Sequence, residues 1–330
     1  MLNVSWLLIS TLVVFFHLAW SQTTLLNCLG FDNEKVFVIN ADDVGMHSSI
    51  DKAVFQLYEN GKIQSFSLMV PAPNFTAAAA YAIKNNVPVG IHLTLTNEWQ
   101  EKLPWSAVLS RAEVASLYND SGRLWQSVQQ LNENAKITEI EKELREQISI
   151  ALNIGLNVTH LDFHMLFQLS KPEYYQLALK LAQDYQLTFI SQATQFNLPS
   201  QLVNEDIIEP SSDPKSAVLN GPEHYVIYYN PAERAKNPNL SLKLYQQTFN
   251  SALPALHHIA VHPAIKTPSL SAEITDADFR YDEFMLFSSE KLNQVIAKNK
   301  IKFTNYLLSH RALSEESQCN KVNKYPLNTN

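Results

Sequence analysis

The feature that most constrains the fold is an alternation of two hydrophobic periods in the first third of the chain. Val36–Asn40 is a continuous apolar, largely β-branched run, the pattern of a strand buried on both faces. The next segment, "HSSIDKAVFQLYENGK", places Ile50, Ala53, Val54, Leu57 and Tyr58 at helical spacing and ends at Gly61. Ser48 with Asp51 three residues later predicts a capping box at its start. "SFSLMVPAP" reads as a second strand, "FTAAAAYAIKNN" as a helix and "VPVGIHLTLT" as a third strand. A βαβαβ order predicts a parallel sheet with right-handed crossovers, hence an α/β fold.

The rest of the chain continues this order. Residues 97–135 read as an irregular insertion. "ITEIEKELREQISIALNIG" reads as a helix started by a Thr138/Glu141 box, "NVTHLDFHMLF" as a fourth strand, "KPEYYQLALKLAQDYQ" as a helix and "LTFIS" as a fifth strand. Residues 192–252 are ambiguous. "HHIAVHP" is a late strand stopped by Pro263, residues 265–278 read as a loop, and residues 279–300 as one or two helices. With no linker and no repeat, a single domain is expected, with its core at about 35–312 and a loose polar tail.

The chain is 330 residues long with a net charge of −7, which argues against a nucleic-acid partner, since phosphate binding wants a basic surface. The start differs from the rest. "WLLISTLVVFFHLAW" is apolar but short for a membrane span, and Ala19-Trp20-Ser21 follows with small residues where a signal peptidase reads. Residues 1–21 are therefore expected to be a cleaved signal peptide rather than an uncleaved anchor, giving a mature domain over 22–330 that is secreted or enters a secretory compartment, with no membrane attachment after cleavage. The two cysteines, Cys28 and Cys319, could pair across the termini in an oxidising compartment.

Four predicted strand ends carry polar residues. The first run ends in adjacent carboxylates, Asp42 and Asp43, before Gly45. Adjacent buried like charges need a cation, a shared proton or good solvation; a helix-capping turn is the structural alternative for Asp43. In the third strand, His92, Thr94 and Thr96 alternate with Ile91, Leu93 and Leu95, and a lone strand histidine is commonly a hydrogen-bonded core residue. In "THLDFH", His160, Asp162 and His164 share one face. His160 and His164 would lie roughly 13 Å apart on an extended strand, so one ion cannot take both; His164, nearer the strand's C-terminal end, is the better ligand, and His160 and Asp162 orient the site or support a polar core. His262 ends the late strand, while His257 and His258 at its other end read as structural. Two histidines and one aspartate make a divalent site with open positions. A second aspartate and a third histidine remain for proton transfer.

At these residues the sequence resembles the YdjC-like carbohydrate deacetylase family, through "NADDVG", "GIHLTLT", "THLDFH" and "VHPA" in that order. "FRYDEFMLF", with Arg280 and Glu283, resembles a later family segment. The resemblance implies an irregular (β/α) barrel of the glycoside hydrolase/deacetylase type and hydrolysis of an acetyl group from N-acetylated amino sugars or chito-oligosaccharides. It implies one divalent metal ion, Mg2+ or Zn2+, on Asp43, His92 and His164, with Asp42 as general base and His262 as general acid. The chain departs from the family in one run, His164-Met165-Leu166-Phe167-Gln168, where further histidines are usual.

Arg280 is expected to hold Asp42, and Trp99, Trp105 and Trp125 either stack on sugar rings or pack as a satellite core. The alternatives are an inactive sugar-binding relative, a non-haem iron oxygenase using the same two-His-one-carboxylate set, and, more weakly, a glycosidic hydrolase, whose two acids should be separated.

Overall fold

The computed structural model describes residues 29–31, 33–190, 192–196, 223–227, 229 and 231–306. The expected signal peptide, both cysteines and the polar tail lie outside the described residues.

Among the described residues nine strands form one parallel sheet: β1 (Lys35–Val44), β2 (Ser65–Leu68), β3 (Pro88–Leu93), β4 (Asn157–Phe163), β5 (Thr188–Phe189), β6 (Gln192–Phe196), β7 (Glu223–Val226), β8 (Ala255–Val261) and β9 (Lys302–Phe303). Their order is β5-β4-β3-β2-β1-β8-β7-β6, with β9 beside the start of β1. That is the cyclic order of a (β/α) barrel unrolled between β5 and β6. Among the described residues no ladder joins those two strands. The result is a single α/β domain whose strands curl into a half-barrel, as the irregular barrel expected from the sequence.

The helices between strands are α1 (Ser48–Glu59), α2 (Phe75–Lys84), α3 (Val128–Asn134), α4 (Ile137–Asn153), α5 (Pro172–Tyr185), α6 (Pro231–Lys236), α7 (Leu240–Ser251), α8 (Pro268–Glu273), α9 (Ala277–Phe287) and α10 (Glu290–Lys298). No helix among the described residues is long and apolar enough to cross a membrane.

Strand alternation divides the interior in two. In β1, Phe37, Ile39 and Ala41 face the large core under the helices, while Val36 and Val38 belong to a smaller cluster with Leu29, Phe31, Ile190, Leu256 and Tyr306. Asn40 and Asp42 continue the second, inner face. On β3 and β4, Val89, Ile91, Leu93, Leu161 and Phe163 face the helices, which leaves Gly90, His92, His160 and Asp162 on the inner one. The inner face is thus apolar toward the strand starts and polar toward the strand ends.

Several local expectations are corrected. The cap of α1 is His47, whose Nδ1 accepts from the Ser49 N–H at 3.0 Å. Asp51 instead accepts from the Gly45 N–H at 2.7 Å and from Asn74 Nδ2, so it braces the turn out of β1. Lys136 precedes α4 with no side-chain cap, so the Thr138/Glu141 box does not form. Residues 265–278 contain α8 rather than only loop. The 97–135 insertion holds a short 3-10 turn and α3. It is bolted down by α4, where the buried Glu143 accepts from the Val108 and Leu109 N–H groups, while Gln147 pairs with both backbone groups of Thr94 just before the insertion.

Candidate active site

Asp43 sits at the end of β1 with φ of 64°, and the β1–β2 register slips between Ala41 and Val44. The left-handed residue undoes the strand alternation that would point Asp42 and Asp43 to opposite faces. Both carboxylates therefore reach the same rim, and both are buried. Gly45 completes the turn at φ of 95°, where an added Cβ would also lie 3.1 Å from the backbone of Phe75.

Asp43 Oδ1 lies 3.4 Å from His92 Nε2 and 3.2 Å from His164 Nδ1. The ligand atoms of these three buried residues all fall within 4.8 Å of one another. Each imidazole is held through its other nitrogen. His92 Nδ1 lies 3.0 Å from Asp162 Oδ1, and His164 Nε2 lies 2.7 Å from Glu98 Oε2. Ligand histidines backed by carboxylates are what a metal centre requires of its surroundings. The structure thus brings Asp43, His92 and His164 together, and it sets Asp162, read from the sequence as orienting the site or supporting a polar core, against His92. His160 lies deeper, its ring centroid 4.3 Å from that of Tyr306 at a tilt of 42°, and burial drives its pKa down to about 4, so it is a neutral core histidine.

The electrostatics fit a cation. Burial opposes charge on His92, yet the Asp162 and Asp42 carboxylates raise its pKa well above the usual histidine value. Burial likewise opposes charge on His164, but Glu98 and Asp43 push it up to about 9. Asp43 remains ionised despite burial, chiefly through Arg280. The carboxylates around the rim demand positive charge, and protons on two imidazoles supply it where a divalent ion would. The donor set of two imidazoles and a carboxylate suits such an ion.

Asp42 lies beside this triad. Its Oδ1 accepts from Asn40 Nδ2 at 2.7 Å, and its Oδ2 is 3.9 Å from His262 Nε2. Burial is the main cause that raises Asp42 to about 8 and lowers His262 to about 4. His262 is about a quarter exposed, so it is the more open member of the pair. Its backbone N–H donates to Glu283 Oε2 at 2.6 Å, and Tyr245 donates to Glu283 Oε1 at 2.6 Å.

One expected partner is wrong. Arg280 does not hold Asp42; its Nη1 is 2.8 Å from Asp43 Oδ2, and its Nε bonds Asp276. The left-handed turn at Asp43 points that carboxylate toward α9. The tryptophans divide. Trp105 is buried and donates Nε1–H to the Thr96 carbonyl, so it is a packing residue, while Trp125 is partly exposed and donates to the Ser116 carbonyl. Trp99 is partly exposed with the Arg280 guanidinium 5.9 Å from its ring.

Two site residues escaped the sequence reading. Asn40 reads as the end of an apolar run, yet its Nδ2 reaches Asp42, Ser67 and Asp162 at once; its position on the Val36–Val38 face is the signal that could have found it. Glu98 stands in an irregular stretch with no periodicity to flag it. After His164, Met165 and Leu166 adopt φ of 54° and 53°. Left-handed conformations cost non-glycine residues roughly 1–2 kcal/mol each, so the departure in this run comes with backbone strain beside the site.

A parallel half-barrel with an Asp-His-His cluster on its C-terminal rim is the arrangement of an α/β enzyme whose active site sits at strand ends. The model of the YdjC-like protein family matches residues 36–298, and the chain belongs to that family. It is 26% identical over 275 residues to a carbohydrate deacetylase of Thermus thermophilus, covering 83% of this chain and 94% of that one. It is 26% identical over 278 residues to a carbohydrate deacetylase of Thermoanaerobacter pseudethanolicus, covering 82% and 98%. A crystal structure of a candidate cellobiose-phosphate cleavage protein from Enterococcus faecalis superposes with a TM-score of 0.68 at 24% identity, covering 83% of this chain and 98% of that one.

Proposed function

We propose that this chain is a secreted, metal-dependent carbohydrate deacetylase that hydrolyses the N-acetyl group of an amino sugar or chito-oligosaccharide to a free amine and acetate. The observation that carries the reading is the convergence of Asp43, His92 and His164 on one point, beside a second carboxylate and a third histidine. The deacetylase relatives favour this over an iron oxygenase with the same donor set. Secretion rests on the apolar first 21 residues.

Asp43, His92 and His164 would hold the ion, Mg2+ or Zn2+. When bound there it would polarise the acetyl oxygen, make a water more acidic and favour the ionised form of Asp42. Asp42 takes a proton from the attacking water as that water's oxygen bonds to the acetyl carbon. Asn40 fixes the Oδ1 of Asp42, which leaves Oδ2 toward His262 and the rim. His262 gives a proton to the departing nitrogen as the C–N bond breaks. Its low proton affinity makes the imidazolium a strong acid once it is charged, and 3.9 Å from Asp42 it can be recharged from the same water. Arg280 pins Asp43 Oδ2, leaving Oδ1 toward the two imidazoles.

The test is acetate release from N-acetylated chito-oligosaccharide. Expressed with its own leader, the chain recovered from the medium should begin near Gln22 and release acetate. Chelation should stop the release and an added divalent ion should restore it. Asp42→Asn should lower turnover roughly 10²–10⁴-fold while still binding the ion. Unchanged turnover in that variant would remove the base, and no release from any acetylated sugar would remove the activity.

A further inference from the structure

We propose that Glu98 is a positioning residue that locks His164 in the Nε2–H tautomer, so that His164 presents Nδ1, and not Nε2, to the cation site. This rests on the reading of Asp43, His92 and His164 as ligands.

The two imidazoles are anchored in opposite senses. His92 turns Nδ1 to Asp162, its register partner on β4, and Nε2 to Asp43. His164 turns Nε2 to Glu98 and Nδ1 to Asp43. A neutral imidazole has one N–H and one lone pair, so whichever nitrogen donates to a carboxylate leaves the other to bind an ion. His92 finds its anchor on the neighbouring strand. His164 does not, because it follows the end of β4, and among the described residues the strand beyond, β5, pairs with His160 and Leu161 alone. The anchor must come from outside the sheet, and the insertion supplies it.

That supplier is held rigidly. Asn97 Oδ1 accepts from the Trp99 and Gln100 N–H groups at 3.1 and 2.8 Å, and Asn97 Nδ2 donates to the carbonyls of Leu103 and Trp105. Asn97 thereby closes the turn that carries Glu98, whose side chain is 18% exposed. A carboxylate on a locked turn, 2.7 Å from an imidazole nitrogen, fixes the ring orientation at little entropic cost.

The test uses the full chain and zinc alone as probe. Zinc affinity is measured by competition with a chromophoric chelator, and histidine tautomers by long-range ¹H–¹⁵N NMR on the zinc-loaded protein. Glu98→Ala should weaken zinc binding roughly 10–100-fold, measured at a temperature where circular dichroism shows both metal-free proteins folded. Glu98→Gln, whose amide oxygen can accept the same N–H, should recover most of the affinity, a rescue that a packing role would not require. In the wild type, His164 should show the proton on Nε2 and His92 on Nδ1. Wild-type affinity in Glu98→Ala, or a His164 proton on Nδ1, would overturn the assignment. A wild type that binds no divalent ion would instead bring down the cation site itself, and this proposal with it. Should the alanine variant fail to fold, the wild-type tautomer decides.

Discussion

Asp43 shows how much can hang on one backbone angle. Histidines on alternating strand positions can be read as sharing a face, and His92 and His164 do meet. A left-handed aspartate at a strand end carries no sequence mark, so the partner of Arg280 could not be read, and Glu98 meets His164 across 66 positions of chain. Glu283 offers a prediction at this scale. It is fully buried, and burial raises its pKa from 4.5 to about 7. The folded state therefore binds more protons than the unfolded one between those values, so its contribution to stability is complete below about pH 4.5 and is lost as pH rises to about 7. The loss is of order 3 kcal/mol. In Glu283→Gln the amide oxygen can accept from His262 N–H and the amide nitrogen can donate to Tyr245. Chemical denaturation at pH 5 and pH 8 should show a smaller drop in stability for the variant than for the wild type. Equal drops would show that Glu283 does not titrate there.

At the scale of elements, the strands and helices with strong periodicity were legible, because burial writes their period into the sequence. Caps were not: a Ser48/Asp51 pair meets the motif, but Asp51 is used by the Gly45 turn, a tertiary demand that overrides the local one. The two residues of β9 are too few to show any period, and β6 and β7 lie in the stretch 192–252 where no period stands out. The spacing between β3 and β4 has a clear cause. Gly90 is the register partner of His160, and a Cβ on it would lie 2.3 Å from His160 Nε2 and 2.6 Å from Cε1. The ring cannot retreat, being fully buried and packed on Tyr306. Gly90→Ala should cost about 1–3 kcal/mol or more in denaturant titrations. Adding His160→Ala should recover part of that loss. Strictly additive losses in the double variant would mean the two positions do not compete for space.

For the whole molecule, the βα order announced a parallel sheet, and the family resemblance announced the barrel. What joins its start to its finish was hidden. β9 pairs with Val36 and Phe37 of β1, and the Thr304 N–H bonds the Phe37 carbonyl. Tyr306 then enters the inner face beneath the site, 1% exposed, with its hydroxyl 2.5 Å from His258 Nδ1. Tyr306→Ala should destabilise the domain by about 3–5 kcal/mol, as other large-to-small core changes do, and Tyr306→Phe by about 1 kcal/mol through the lost hydroxyl hydrogen bond to His258. A Tyr306→Ala variant as stable as the wild type in urea would show that the residue seals nothing. During synthesis this arrangement imposes a schedule. A nascent polypeptide halted short of residue 306 would carry His160 and His258 above a floor still open to water. The last of the described strands is therefore a stopper, and the domain closes only once the chain has been made as far as Tyr306.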